Sequence, residues 1–292
     1  MAVQNHVENP FEYVLERLSW TWADIGRAVR AAPHVRAALA PPAVRRITAQ
    51  DLLASLRKGA ADLGATRDDV LFLAVIYPLA GLLMGGLAFR YNLLPMIFPL
   101  ASGFAILGPL AAVGLYEMSR RREAGEAAGW STGFAVLRSP RLGSILGLGA
   151  ILMLIFAAWL AAAYGIYAAT LGPAPPRSVG GFLHDVFATG PGWAMIAIGV
   201  AVGFVFAAVA FAVSVVSFPL LLEHDVSMAE AIATSARAVR ANPGAMALWG
   251  LIVAAALVVG SLPALVGLIF VVPVLGHATW HLYRRTIEAP HG

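Results

Sequence analysis

The stretch Leu142–Ala168, LGSILGLGAILMLIFAAWLAAAYGIYA, decides the fold. It holds no Asp, Glu, Lys or Arg. Coiled as a helix at 1.5 Å per residue it is about 40 Å long, more than the ~30 Å hydrocarbon core of a bilayer. Its apolar residues run continuously, without the period-two alternation of a barrel strand. A helix that is apolar on every side belongs inside a membrane rather than on a soluble surface.

Working outward, five more stretches meet the same length requirement: Val70–Ala88, Leu93–Leu115, Trp193–Leu222, Gly244–Leu262 and Pro263–Tyr283. Composition agrees with this reading. Of 292 residues, 60% are hydrophobic and 12% are charged, against about 25% charged in soluble domains. The expected fold class is therefore all-α: a polytopic membrane bundle of six transmembrane helices. Ser261–Leu262–Pro263 is read as a tight connection between the fifth and sixth spans.

Charge sets the orientation. The net charge is +4, but the basic residues flank the apolar blocks instead of covering a surface, which points to membrane topology and away from nucleic acid. Arg90 and Arg177 fall on one side of the predicted membrane, and the other 18 of the 20 Lys and Arg residues fall on the opposite side. Cationic loops stay in the cytoplasm, so both termini are expected there, in a bacterial inner membrane. Residues 1–18 lack an apolar h-region, so no cleavable signal peptide is expected. The chain has no cysteine, which excludes disulfides, thiolate nucleophiles and cysteine-ligated metal.

Residues 1–43 read as a variable cytoplasmic leader with an amphipathic helix from Phe11 to about Ala31. Residues 44–285 read as the membrane domain and residues 286–292 as a short tail. Thr48 is placed as the N-cap of a second helix, in which Leu52, Leu53, Leu56, Ala60 and Leu63 share a face. Such a helix either packs on its neighbours or lies on the membrane surface. Three amphipathic stretches begin at Asp51, Gly129 and Met228, and each leads into an odd-numbered span. Their spacing suggests three helical-hairpin repeats, each introduced by an interfacial amphipathic helix.

No Asp, Glu, Lys or Arg lies inside any span as drawn, which argues against an ion-coupled pump. The ionisable residues gather instead at the cytoplasmic ends of the even-numbered spans: Glu117, then Glu223, His224 and Asp225, then His277 and His281. Each set follows a proline, Pro109, Pro219 or Pro273, by four or eight residues, which keeps the group near the proline's helix face. If those helices meet, carboxylates and imidazoles converge. His277 and His281, at i and i+4, have a spacing that can ligate one metal, although HExxH is missing. The structural alternative pairs Glu117 and Glu223 with nearby arginines and leaves the histidines as helix-end anchors, with Trp280 and Tyr283 at the headgroups. Pro78, Pro95 and Pro99 also fall in spans, and these prolines are read as static kinks set by packing, with a hinge or cavity-lining break as the alternative. Gly81/Gly85, Gly143/Gly147 and Gly199/Gly203 are GxxxG spacings, read first as internal packing and second as a homo-oligomer contact. Walker, Rossmann and GxSxG templates are missing. No cofactor and no catalytic residue is assigned.

The segments FPLASGFAILGPLAAVGLYEMSRRRE (from Phe98), SFPLLLEHDVSMAEAIATSARAVRANPGAMALWG (from Ser217) and VPVLGHATWHLYRR (from Val272) are similar to an uncharacterised bacterial domain-of-unknown-function family of predicted integral membrane proteins. The resemblance runs from about Val44 to Arg285, and GHATWHLYR is its most specific part. Some members are labelled cytochrome c oxidase subunit. An oxidase catalytic subunit uses six histidine ligands, and here only His224, His277 and His281 of seven histidines lie at spans. The resemblance thus implies topology, not activity. The leading functional expectation is a non-enzymatic accessory or scaffold protein, with the lipid bilayer and other membrane subunits as partners. A transporter or lipid- or small-molecule-handling protein, and a metal- or haem-binding protein associated with respiration, are the alternatives.

Overall fold

The computed structural model describes residues 42–65, 86, 93–126, 128–263 and 265–288. The chain divides into Met1–Pro41 and Pro42–Gly292, and everything described lies in the second unit. The leader helix expected over Phe11–Ala31, nearly all of the first expected span with Pro78 and the Gly81/Gly85 pair lie outside the described residues.

Within the described residues the regular structure is helical. The helices are α1 (Ala49–Ala65), α2 (Ile97–Ala111), α3 (Val113–Glu123), α4 (Trp130–Gly133), α5 (Leu142–Thr170), α6 (Val179–Ala188), α7 (Gly190–Ser214), α8 (Ser217–Glu223), α9 (Met228–Ala241), α10 (Pro243–Ser261) and α11 (Leu268–Thr286). Short 3₁₀ turns cover Leu94–Met96 and Phe134–Arg138. Four stretches are long and apolar enough to cross a membrane: Leu94–Glu123, Leu142–Thr170, Gly190–Glu223 and Pro243–Ser261.

Proline chemistry explains one break. Pro219 has no N–H for the carbonyl of Val215, and its ring crowds that carbonyl. The long stretch Gly190–Glu223 is interrupted at Val215–Val216, between α7 and α8. The expected hairpin after α10 also differs in detail. The turn runs over 262–267, longer than the three residues expected, because Pro263 removes a donor and Leu265 adopts a positive φ of 68°. The turn is tight all the same, since a Cβ on Gly267 would stand 2.7 Å from the Gly260 carbonyl oxygen.

α11 differs from the four crossing helices because its second half carries His277, His281, Arg284 and Arg285. It nevertheless returns to the end from which α10 departs. Asn242, beside the start of α10, accepts from the Ile47 amide at 2.8 Å and donates to the Arg45 carbonyl at 2.9 Å. The Arg45 amide in turn donates to the carbonyl of Thr286, the last residue of α11. An isolated antiparallel bridge joins Val44 to Ile287, and Arg45 pairs with Glu288 at 2.8 Å. The segment before α1 is thus tied to the end of α11 and the two residues after it.

α2, α5 and α7–α8 pack side by side. Trp159 donates to the Pro99 carbonyl at 3.0 Å, Gly149 lies against Leu110 and Gly203 against the Trp159 ring, and Trp159 and Phe206 rings are 5.8 Å apart. Arg141 at the other end of α5 reaches the Leu222 carbonyl. These pairings make both neighbours of α5 antiparallel to it. The glycine expectation is met unevenly: Gly203 is an internal packing position, but Gly199 faces open space.

α1 meets α11 through a different face from the one expected. The buried residues are Leu52, Ser55, Gly59 and Asp62, whereas Leu53 and Ala60 are exposed and Leu56 and Leu63 are half-buried. Close approach of two backbones requires small side chains. A Cβ on Gly59 would stand 2.6 Å from the Ala278 nitrogen. The leucine stripe was the wrong guide here, because distance of approach rather than hydrophobicity selects the face. The amphipathic stretches are also unequal. α1 and α9 are full helices, but the stretch from Gly129 forms one turn of α-helix followed by a 3₁₀ turn.

Buried side chains concentrate where α1, α3, α8, α9 and α11 meet. Phe218, Leu220, Ala231, Ala238, Trp280 and Tyr283 are at most 1% exposed. Further along α7 and α10, Phe204, Val205, Leu251 and Val258 are each 59% exposed or more. The well-packed core therefore lies at the arginine-rich end.

Candidate functional site

α11 supplies the polar face at that end. Its i, i+4 pair, His277 and His281, points toward α1 and α3. His281 Nε2 lies 2.9 Å from Asp62 Oδ2, and His277 Nδ1 lies 2.8 Å from Ser119 Oγ. Ser119 donates to Asp62 Oδ2 at 2.6 Å. Arg122 donates to the Asp62 carbonyl at 2.8 Å and stands 3.2 Å from its Oδ1. All of Asp62, Ser119, His277 and His281 are buried. Burial pushes the Asp62 carboxyl up, but hydrogen bonds from His281 and Ser119 and the electrostatic pull of the two imidazoles outweigh it and hold the group at about 2. The residue types match a nucleophilic triad, but the order does not. In a triad the imidazole sits between hydroxyl and carboxylate; here the hydroxyl sits between imidazole and carboxylate.

A second network joins α3, α8 and α11. Tyr283 donates to Glu223 Oε2 at 2.5 Å, and Arg284 donates to Glu223 Oε1 at 2.8 Å. Arg284 also stands 3.1 Å from Glu123, which accepts from the Trp280 indole at 3.2 Å. His224 lies 3.4 Å from Glu223. Asp225 is exposed and takes no hydrogen bond or ion pair among the described residues.

Glu117 stands apart from both networks. It is held by its own helix, with Arg120 at 2.7 Å and Arg121 at 2.7 Å. That ion cluster lines a cleft of about 510 Å³ together with Arg138, Ser139 and Arg141. Arg141 is anchored by a 2.7 Å bond to the Leu222 carbonyl.

The expected convergence in one place is not formed: Glu223 and His224 belong to one network, and His277 and His281 to another. Glu117 and Asp225 are not brought into contact with them. Among the described residues, no group of three His, Asp or Glu side chains is arranged to hold a metal ion. His277 and His281 are instead engaged by Ser119 and Asp62. Sequence reasoning missed Asp62, Ser119, Arg122 and Glu123. Leu52, Ser55, Gly59 and Asp62 recur at steps of three and four, and that small-residue stripe was the available signal for Asp62.

No curated protein and no solved structure matches the chain. One family model does match, over a stretch that includes α2, α3, α5, α7 and α8 and stops before GHATWHLYR. Residues 97–223 match the family described as predicted integral membrane protein (DUF2189), and with four apolar helices of crossing length the chain is an integral membrane protein like the members of that family.

Proposed function

We propose that the protein is a non-enzymatic accessory or scaffold subunit of a complex in the bacterial inner membrane. One observation carries this reading. The buried ionisable groups at the arginine-rich end are engaged by close neighbours, through Asp62–His281, Ser119–His277, Glu223–Tyr283–Arg284 and Glu117–Arg120–Arg121, while α7 and α10 turn uncharged apolar side chains outward. A buried, satisfied polar network fixes one arrangement of helices. Uncharged outward faces suit lipid or the helices of another subunit.

The same reading keeps six spans and cytoplasmic termini. α11 equals α10 in length, at 19 residues each, and its polar half is sheltered by protein. The positive-inside rule puts the arginine-rich end in the cytoplasm.

Photo-crosslinking residues at Phe204 and Leu251 test the proposal in intact membranes. Discrete adducts with a different membrane protein are expected, surviving mild-detergent purification. Adducts only with lipid, or only with a second copy of the chain, overturn the accessory role.

A further inference from the structure

We propose that the cleft between α3, α5 and α8 binds the phosphate of an anionic phospholipid from the leaflet on the arginine-rich side. Four arginines, Arg120, Arg121, Arg138 and Arg141, line it together with a single carboxylate, Glu117. Arg120 and Arg121 share that carboxylate, so one negative charge answers two positive ones. Two further acids stand near them: the exposed Glu126, 3.9 Å from Arg121, and Glu223, which is already paired with Tyr283 and Arg284. Arg141 spends one N–H on the Leu222 carbonyl, and Arg138 is exposed with no partner among the described residues. Each guanidinium offers five donors in a planar fork that suits phosphate oxygens. The cleft thus presents excess positive charge and unspent donors at fixed positions.

Two features select a lipid over a soluble phosphate. The 3₁₀ turn on the rim exposes Phe134 and Leu137, at 50% and 63%, beside Arg138. Apolar side chains next to a cation at a helix end suit the boundary between headgroups and acyl chains. An apolar groove also lies further along, between α5 and α7, lined by Leu154, Ile155, Ala158, Val205, Phe206 and Val209. Leu154 is thirteen residues from Arg141, and Val209 is thirteen from Leu222, which places the groove about 20 Å below the cleft on both antiparallel helices. A leaflet's acyl chains span about 15 Å, so a lipid seated by its phosphate sends its tails toward that groove. Basic pockets between membrane helices are a recurring way to hold anionic headgroups. The site stands independently of any accessory role.

The test uses the full chain purified in a neutral detergent. Thermal unfolding is followed while phosphatidylglycerol, phosphatidylcholine or inorganic phosphate is added, and retained lipid is read by native mass spectrometry. Phosphatidylglycerol is expected to raise the midpoint and to remain bound, with phosphatidylcholine doing neither. Arg138→Glu removes a side chain without partners among the described residues, so the lipid-free midpoint is expected to stay unchanged while the phosphatidylglycerol concentration for half effect rises by on the order of tenfold. Arg240→Glu makes the same charge change at another exposed arginine and has little effect. Equal response to both lipids, equal loss in the two variants, or full affinity in Arg138→Glu overturns the proposal. Inorganic phosphate acting as well as phosphatidylglycerol assigns the cleft to a soluble phosphate and overturns the lipid.

Discussion

Ser119 has one hydroxyl proton and two acceptors within reach, Asp62 Oδ2 at 2.6 Å and His277 Nδ1 at 2.8 Å. Its choice is tied to the charge on Asp62. An ionised carboxylate takes the proton and the stronger bond, so the hydroxyl serves Asp62 and offers its lone pairs to the imidazole. Three helices are locked by this arrangement, since the four side chains come from α1, α3 and α11. The Asp62 carboxyl is depressed from 3.8 to about 2. A carboxyl with a lowered folded-state pKa stabilises the fold above its unfolded value and loses that contribution as pH falls through the folded one. Asp62 therefore contributes about 2 kcal/mol at pH 5 and above, lost between about pH 4 and pH 2. Asp62→Asn should lower the thermal midpoint at pH 6 and remove that portion of the acid loss. Parallel acid titrations of the two proteins in detergent, followed by circular dichroism, make the comparison. Equal acid sensitivity would count against an ionised Asp62 as the lock.

At the scale of the element, the crossing of α1 and α11 depends on Gly59. A methyl group there would meet the Ala278 nitrogen at 2.6 Å and the Val274 oxygen at 2.7 Å. Both are backbone atoms of a helix and cannot swing aside, so the helices must separate. Gly59→Ala should cost about 1–3 kcal/mol, the usual range for overpacking. Gly64, on the same helix, has open space around its Cβ position. Gly64→Ala should be neutral or stabilising by up to about 1 kcal/mol through helix propensity alone. Denaturation of both variants in the same detergent distinguishes a steric cause from a propensity one, because only the former gives opposite signs. This crossing also marks where sequence reading succeeded and failed. Thr48 was legible as the N-cap: its amide and hydroxyl both bond to the Asp51 carboxylate, at 2.9 and 2.8 Å. The α5 span was legible because an apolar run of that length has few alternatives. The packed face of α1 was not, because hydrophobic periodicity reports what avoids water, and Ser55, Gly59 and Asp62 are buried for closeness and hydrogen bonding. Asp62 entered the site for the same reason unseen, and Ser119 and Glu123 lay hidden inside a run that reads as a polar helix exit.

Across the described residues, tight packing and charge coincide at one end, and apolar exposure grows toward the other. The loop after α5 at that second end carries Arg177 as its one cation. If the positive-inside rule governs insertion, this loop is periplasmic and the α9 end is cytoplasmic. The absence of cysteine lets single substitutions report this without background. Ala174 lies in the loop after α5, and Ala229 in the first turn of α9; both are exposed. Ala174→Cys should react with a membrane-impermeant maleimide on intact spheroplasts, and Ala229→Cys should react only after lysis. The reverse pattern would invert the topology and place the arginine cleft outside the cell. Labelling of both before lysis would break the link between charge and sidedness. The expected pattern would put the cleft, the Glu223 network and the Asp62 lock together at the cytoplasmic face, where anionic headgroups are the nearest charged neighbours of those arginines.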